Sequence, residues 1–263
     1  MNDRIRRRLA ATALCLGLAA LYVILTLTAL HHVGTDAALY RSEQMKAGIL
    51  PEAGISEADL RAVDAQLADY LSGRNPRTDR VGDPQAWLPE AQRDAFNEKE
   101  LTHLRDCLGL FDLLRKVRAR LIPWAVVLIL GGAWLLQDRQ TARLCAWLSP
   151  LILLVPLGLF ALYAAVNFNA AFTLFHRVLF TNDLWLLDPR TDLLIRICPA
   201  SMFMHMGIRI AVYSLIGILA ATAVAVLLTF IWPKRKEDGN TWKTTTRRGP
   251  APRQYDFASR GKR

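Results

Sequence analysis

The segment Leu144–Val166 reads LCAWLSPLILLVPLGLFALYAAV, 23 residues without a charge. That is the length an α-helix needs to cross a bilayer, whose hydrocarbon takes about 20 apolar residues. Two further runs of this kind stand at Leu9–Leu30 and Ile210–Trp232, and a shorter one, Leu121–Leu136, contains Pro123, Gly131 and Gly132. A hydrophobic content of 52% would suit soluble domains as well, but here it is gathered in blocks. The chain of 263 residues is therefore expected to be an all-α integral membrane protein with four transmembrane helices and a helical and loop extracytoplasmic domain.

The basic residues set the expected orientation. Residues 1–8, 137–143 and 233–263 carry 16 Lys/Arg against 5 Asp/Glu, whereas the rest of the chain carries 17 against 18, so the formal +10 belongs to the first group alone. By the positive-inside rule both termini are cytoplasmic, with spans at 9–30, 121–136, 144–166 and 210–232 and outside segments at 31–120 and 167–209. Arg4, Arg6, Arg7 and Arg8 ahead of the first span resemble the start of a signal peptide. The run is longer than an h-region, however, and Thr28-Ala29-Leu30 is a poor cleavage site, so an anchor is expected. Topology accounts for the high pI. The tail lacks the aromatic or structured basic motifs of a nucleic-acid binder, and its Lys234-Arg235-Lys236 cluster suits anionic membrane phospholipid. From Glu237 onward the tail is expected to be disordered and dispensable.

In the first outside segment, Ser56-Glu57-Ala58-Asp59 opens a helix with Leu60, Val63, Leu67 and Leu71 at helical spacing, and Gly73 closes it. So narrow a stripe must pack on the rest of the outer domain or on the membrane surface. Arg74–Pro89 reads as a loop. Phe96–Leu121, FNEKELTHLRDCLGLFDLLRKVRARL, is again helical and places His103 on an apolar face with Cys107, Leu110 and Leu114, while Glu100 and Asp106 flank it. Such a histidine is either a satisfied structural residue or one held in a chosen tautomer for proton transfer.

The second outside segment contains Phe175–Phe203, FHRVLFTNDLWLLDPRTDLLIRICPASMF, too polar to span and too rich in fixed corners for a tether. His176 reads either as interfacial or as catalytic, Trp185 as an interfacial anchor or a lid, and Asp183, Asp188 and Asp192 as turn and helix caps. The stretch Cys198–Met206, CPASMFMHM, holds soft ligands that would suit Cu(I), though methionines at a helix mouth also serve as filler. A disulfide between Cys107 and Cys198 is permitted on the outer side. CxxC, HExxH, G-x-S-x-G and P-loop patterns do not occur, which leaves histidine as the leading candidate if the chain is catalytic; no metal or cofactor is expected.

Taken in order, GISEADL, ADYLSG, NEKELTHLRDCLGLF and Phe175–Phe203 resemble the bacterial lipoprotein intramolecular transacylases, integral membrane proteins of the plasma membrane. The resemblance implies a monomeric enzyme acting on diacylated lipoproteins. It moves the sn-2 acyl chain of the S-diacylglyceryl N-terminal cysteine to that cysteine's α-amine, giving the lyso form. It also implies that His103, in E-x-x-H-x-x-D, and His176, in F-H-x-x-x-F, are the essential pair. The sequence departs from the usual pattern at Cys107, where valine is expected, and at Met204, where a phenylalanine commonly follows Phe203. The two histidines are expected to meet through antiparallel packing of the second and third spans. Trp185 and the Asp188-Pro189 corner would close over them, and Glu100 or Asp106 would orient His103. A copper-binding membrane protein and a different lipid acyltransferase or lipase are the rival readings.

Overall fold

The computed structural model describes residues 3–73, 96–136 and 138–231; the expected loop Arg74–Pro89 and the tail from Pro233 lie outside these. Ten helices follow in order among the described residues: α1 (Asp3–Gly34), α2 (Ala37–Ala47), α3 (Leu50–Ala53), α4 (Glu57–Ser72), α5 (Glu98–Leu135), α6 (Arg139–Leu148), α7 (Leu151–Val166), α8 (Phe168–Leu179), α9 (Leu193–Ile197) and α10 (Ala200–Leu228). Four passages are long and apolar enough to cross a membrane: α1, α5, α6 with α7, and α10.

The bundle is built around α1. Helix α5 runs along it and α10 flanks it, while α6 and α7 touch it near the bend between them. Between α1 and α5 the backbones approach as closely as glycine allows. A Cβ added at Gly132 would lie 2.6 Å from the Leu14 backbone nitrogen, and one at Gly17 would lie 2.8 Å from that of Ile129. Within lipid, where apolar burial gives no drive to association, such backbone approach supplies the dispersion contact that holds helices together. Tyr22 bonds Thr222 across to α10 at 3.1 Å. At the Arg7 end, Arg7 pairs with Asp138, and Arg139 donates to the Thr229 and Phe230 carbonyls at 2.6 and 2.5 Å. These bonds occupy carbonyls that the end of α10 leaves without intrahelical partners.

The expected pairing of the second and third spans does not occur. Helix α5 is taken up by α1, α6 packs on α1 and α10, and α7, beyond the Ser149-Pro150 break, leaves no residue buried against protein. Apart from Leu153 and Leu154, which pack against the bundle core, α7 is therefore largely exposed, as suits an apolar helix in lipid.

Helix α5 has 38 residues, so at 1.5 Å per residue it is about 57 Å long against about 30 Å of hydrocarbon. The excess is its N-terminal part, where Glu98, Lys99, Glu100, Arg105, Asp106 and Asp112 would be costly in lipid. His103 therefore stands outside the hydrocarbon. Around that part the outer domain folds. Ser56 caps α4 by accepting from the Asp59 amide at 3.1 Å, and Gly73 ends it at φ +67°, the left-handed conformation that glycine adopts without a Cβ clash. Leu60, Val63, Leu67 and Leu71 are all buried and meet Leu101 and Leu104 of α5, Leu193, Leu194 and Ile197 of α9, and Met202 of α10. The stripe on α4 thus packs on the outer domain itself.

The segment 167–209 is not one loop. Asn167 accepts from the Ala170 amide at 3.0 Å and starts α8 as α7 ends, and α9 and the first turns of α10 follow. A short loop between α8 and α9 carries Trp185.

Candidate active site

His103 of α5 and His176 of α8 lie with ring centroids 6.2 Å apart, 7% and 8% exposed. His176 Nδ1 is 2.8 Å from the Phe172 carbonyl. A carbonyl oxygen can only accept, so Nδ1 carries hydrogen, and in the neutral ring Nε2 is the basic atom. Four aromatic rings enclose this imidazole. Phe172 lies at 4.1 Å, Trp185 is stacked at 4.9 Å, Phe175 is edge-on at 5.4 Å and Phe180 is stacked at 5.6 Å. Burial among them lowers the pKa of His176 below its ordinary value, and the bond to Phe172 opposes that shift.

His103 Nε2 lies 3.7 Å from Cys107 Sγ, and Nδ1 is buried without a hydrogen-bond partner. Burial, reinforced by His176, pushes its pKa down to about 4, against a smaller opposing effect of Asp106. Burial also raises the Cys107 thiol to about 12. The thiol is therefore protonated; it donates to Nε2 when the imidazole hydrogen sits on Nδ1 and accepts from Nε2–H in the other tautomer. In either tautomer the buried Nδ1 is unmatched, which is a cost to the fold and leaves a place for a polar group of a substrate.

The other residues named from the sequence fall into three groups. Asp106 and Trp185 belong to the site. Asp106 accepts from Asn182 Nδ2 at 2.9 Å, and the Asn182 carbonyl accepts from Trp185 Nε1 at 2.9 Å, so Asp106 holds the turn that sets Trp185 on His176. Glu100 does not reach His103. It is fully buried and forms a capping box with Asn97, accepting the Asn97 amide at 2.8 Å and the Leu194 amide at 2.5 Å. Asp183 is exposed, and Asp188 closes a surface turn by pairing with Arg190 at 2.6 Å, so neither touches the histidines.

Sequence reasoning assigned Asp192 only a capping part, and the structure gives it a larger one. It is 3% exposed and accepts from the Asp188 amide at 2.7 Å, Asn97 Nδ2 at 2.8 Å, Thr191 Oγ1 at 2.9 Å and Lys99 Nζ at 3.4 Å. Lys99 also holds the Leu186 carbonyl. The start of α5 thus clasps the α9 end of the Trp185 loop, through Glu100 at Leu194 and Asn97 with Lys99 at Asp192, while Asp106 holds its α8 end through Asn182.

The soft-ligand stretch does not form a centre. Met202 and Met206 are buried in the core, Met204 is exposed, and His205 pairs with buried Glu43 at 2.6 Å. No group of three His, Cys, Asp or Glu among the described residues could hold a metal ion. Cys107 and Cys198 are free thiols, one beside His103 and the other in the outer core.

A family profile described as lipoprotein intramolecular transacylase Lit matches residues 14–203, which includes both histidines and the whole Trp185 loop. The chain belongs to this family. It is accordingly a membrane acyltransferase that acts on lipoproteins. The in meso structure of the membrane-integral Lit transacylase from Bacillus cereus is similar at 22% identity and a TM-score of 0.58, over 87% of this chain and 96% of that one. Two variants of the same protein, with one histidine replaced by arginine or by alanine, are each 23% identical, at TM-scores of 0.57 and 0.53. They cover 87% and 88% of this chain and 92% and 93% of theirs. These likenesses show that the transacylase fold is shared. No curated protein matches the chain.

Proposed function

We propose that His176 and His103 carry the transacylation, with His176 as base and then acid and His103 as a neutral hydrogen-bond donor. The observation that carries this is the orphaned Nδ1 of His103 on a ring 6.2 Å from that of His176. In a diacylated substrate the cysteine α-amine attacks the sn-2 ester carbonyl. His176 Nε2 takes the proton released from nitrogen, the carbon–oxygen bond to the glycerol breaks, and His176 returns the proton to the departing 2-oxygen. Ester becomes amide, with no acyl donor and no net proton change. His103 Nδ1–H donates to the carbonyl oxygen as it gains charge. Phe180, edge-on to His103 at 5.0 Å, gives way to admit that oxygen. Attack closes a ring of roughly eight atoms, so rigid enclosure by Trp185 and the phenylalanines supplies much of the rate. The acyl chains reach the site along Leu174, Phe175 and Val178, which continue the lipid-facing surface of α7 onto α8.

Ring-resonance titration of histidine-labelled protein tests the protonation states. His103 is expected to stay neutral down to about pH 5 and His176 to titrate below 6.5, the ordinary histidine value. Because both folded values are depressed, the unfolded chain binds more protons between 6.5 and the folded values. Stability from this source is therefore full above 6.5 and falls as pH drops. A midpoint for either ring above 6.5 contradicts the assignment.

The site is complete within one chain, which supports a monomer set among phospholipids of a bacterial plasma membrane. The excess of 16 basic over 5 acidic residues supports cytoplasmic termini and an outward-facing site. A reporter fused after Asp192 should read outside and one after Arg139 inside; the reverse pattern overturns this orientation.

A further inference from the structure

At the elbow where α7 passes into α8 there is a cavity of about 590 Å³ lined by Tyr163, Asn167, Asn169, Thr173, Leu174 and Arg177. Asn167 is occupied in capping α8, but the side chains of Tyr163, Asn169, Thr173 and Arg177 make no hydrogen bond or ion pair among the described residues. A phenol, an amide, a hydroxyl and a guanidinium thus converge on one concave surface without partners there. The helical period relates this surface to the site. Thr173 precedes His176 by three residues and Asn169 by seven, so the polar flank of α8 adjoins the edge carrying the imidazole. The exposed apolar flank, Phe175 and Val178, lies on another side of the same helix, with Leu174 on the border between the two. Helix α8 therefore separates an apolar surface suited to acyl chains from a polar surface suited to peptide.

We infer that this groove binds the peptide segment following the lipidated cysteine of the substrate. The inference rests on His176 acting at the cysteine α-amine. With the amine at His176 and the acyl chains on the apolar flank, the peptide leaves toward the polar flank. There the amide of Asn169 and the hydroxyls of Thr173 and Tyr163 pair with main-chain N–H and C=O groups. Arg177 favours a carboxylate side chain in that segment. The groove is then a determinant of which lipoproteins are modified, distinct from the chemistry at the histidine pair.

The test compares two synthetic S-diacylglyceryl lipopeptides, one ending a single residue after the cysteine and one carrying a longer peptide with an acidic residue. Full-length protein in nanodiscs converts each, and the lyso product is followed by mass spectrometry. Asn169→Ala and Arg177→Gln are each expected to raise KM for the long substrate by at least about fivefold relative to their effect on the short one, with kcat for the long substrate held. An equal rise for both substrates means the groove holds a lipid headgroup or the glycerol and overturns the inference. So does the absence of any effect in a variant that retains its thermal transition. Direct binding of the long peptide portion without lipid, measured against Arg177→Gln, gives a second readout independent of turnover. Failure of the histidine assignment would show separately, as turnover of the short substrate by His176→Ala.

Discussion

Replacing His103 or His176 by alanine is expected to lower the rate of lyso-lipoprotein formation by about 10²–10⁴-fold, the range general acid–base and oxyanion groups supply. The double variant should be no slower than the worse single one, because the two rings act on one transition state. Insertion should be unaffected, since either substitution leaves the four long apolar passages intact. The assigned roles also predict a difference between the two positions. His103→Asn keeps a donor near the Nδ1 position and should recover part of the rate, whereas His176→Asn offers no base and should recover none. Rates of lyso product formation from purified protein in nanodiscs decide this. Near wild-type turnover by either alanine variant would remove that residue from the mechanism.

The second large effect is expected at Glu100, although it touches no histidine. Its carboxylate meets the Asn97 and Leu194 amides within a fully buried environment. Alanine there would strand both donors, at about 1–3 kcal/mol for each. The clasp between α5 and the Trp185 loop would loosen, and with it the stack that fixes His176. Glu100→Ala is therefore expected to lower the thermal transition and to cut turnover at least tenfold, in keeping with the sensitivity of catalysis to small displacements. Glu100→Gln retains one acceptor and should show a clearly smaller loss on both measures. An alanine variant with unchanged stability and rate would mean that the loop is held without Glu100, by Asp106, Asp192 and their partners.

Both positions show where the sequence could be read and where it could not. Runs such as Leu144–Val166 declare a span because length and composition suffice, whereas spacing left His103 and His176 each with a structural reading, and only the family resemblance marked them as a pair. The capping box of Asn97 and Glu100 went unread, although a cap residue followed three positions later by glutamate encodes it. Helical spacing from His103 pointed instead to a partner for the imidazole. Spacing gives a face, not a direction, and at the first turn of a helix a glutamate is drawn back to its own amides.

Asp192 was less accessible still. Its bonds to Asn97 and Lys99 cross more than 90 positions, and no local pattern encodes them. Helix α8 went unread within a stretch taken as a loop, although Phe168, Ala171, Phe172, Phe175 and Leu179 stand at helical spacing along it; the fixed corners that follow it drew the reading instead. The expected pairing of the second and third spans failed because a short connection brings helix ends together without fixing which neighbour each prefers. The close approaches at Gly17 and Gly132 give α5 to α1 instead.

The most direct test is intact-mass and fragment analysis of a diacylated lipoprotein co-expressed with this chain in a host lacking other N-acylation. Intramolecular transfer conserves mass, so the account predicts an unchanged mass with one acyl group moved from glycerol to the cysteine nitrogen, and no such change with His176→Ala. A gain of one acyl mass would indicate a second acyl donor, and a loss would indicate hydrolysis. Either result, or N-acylation that persists in His176→Ala, would contradict the paired-histidine mechanism.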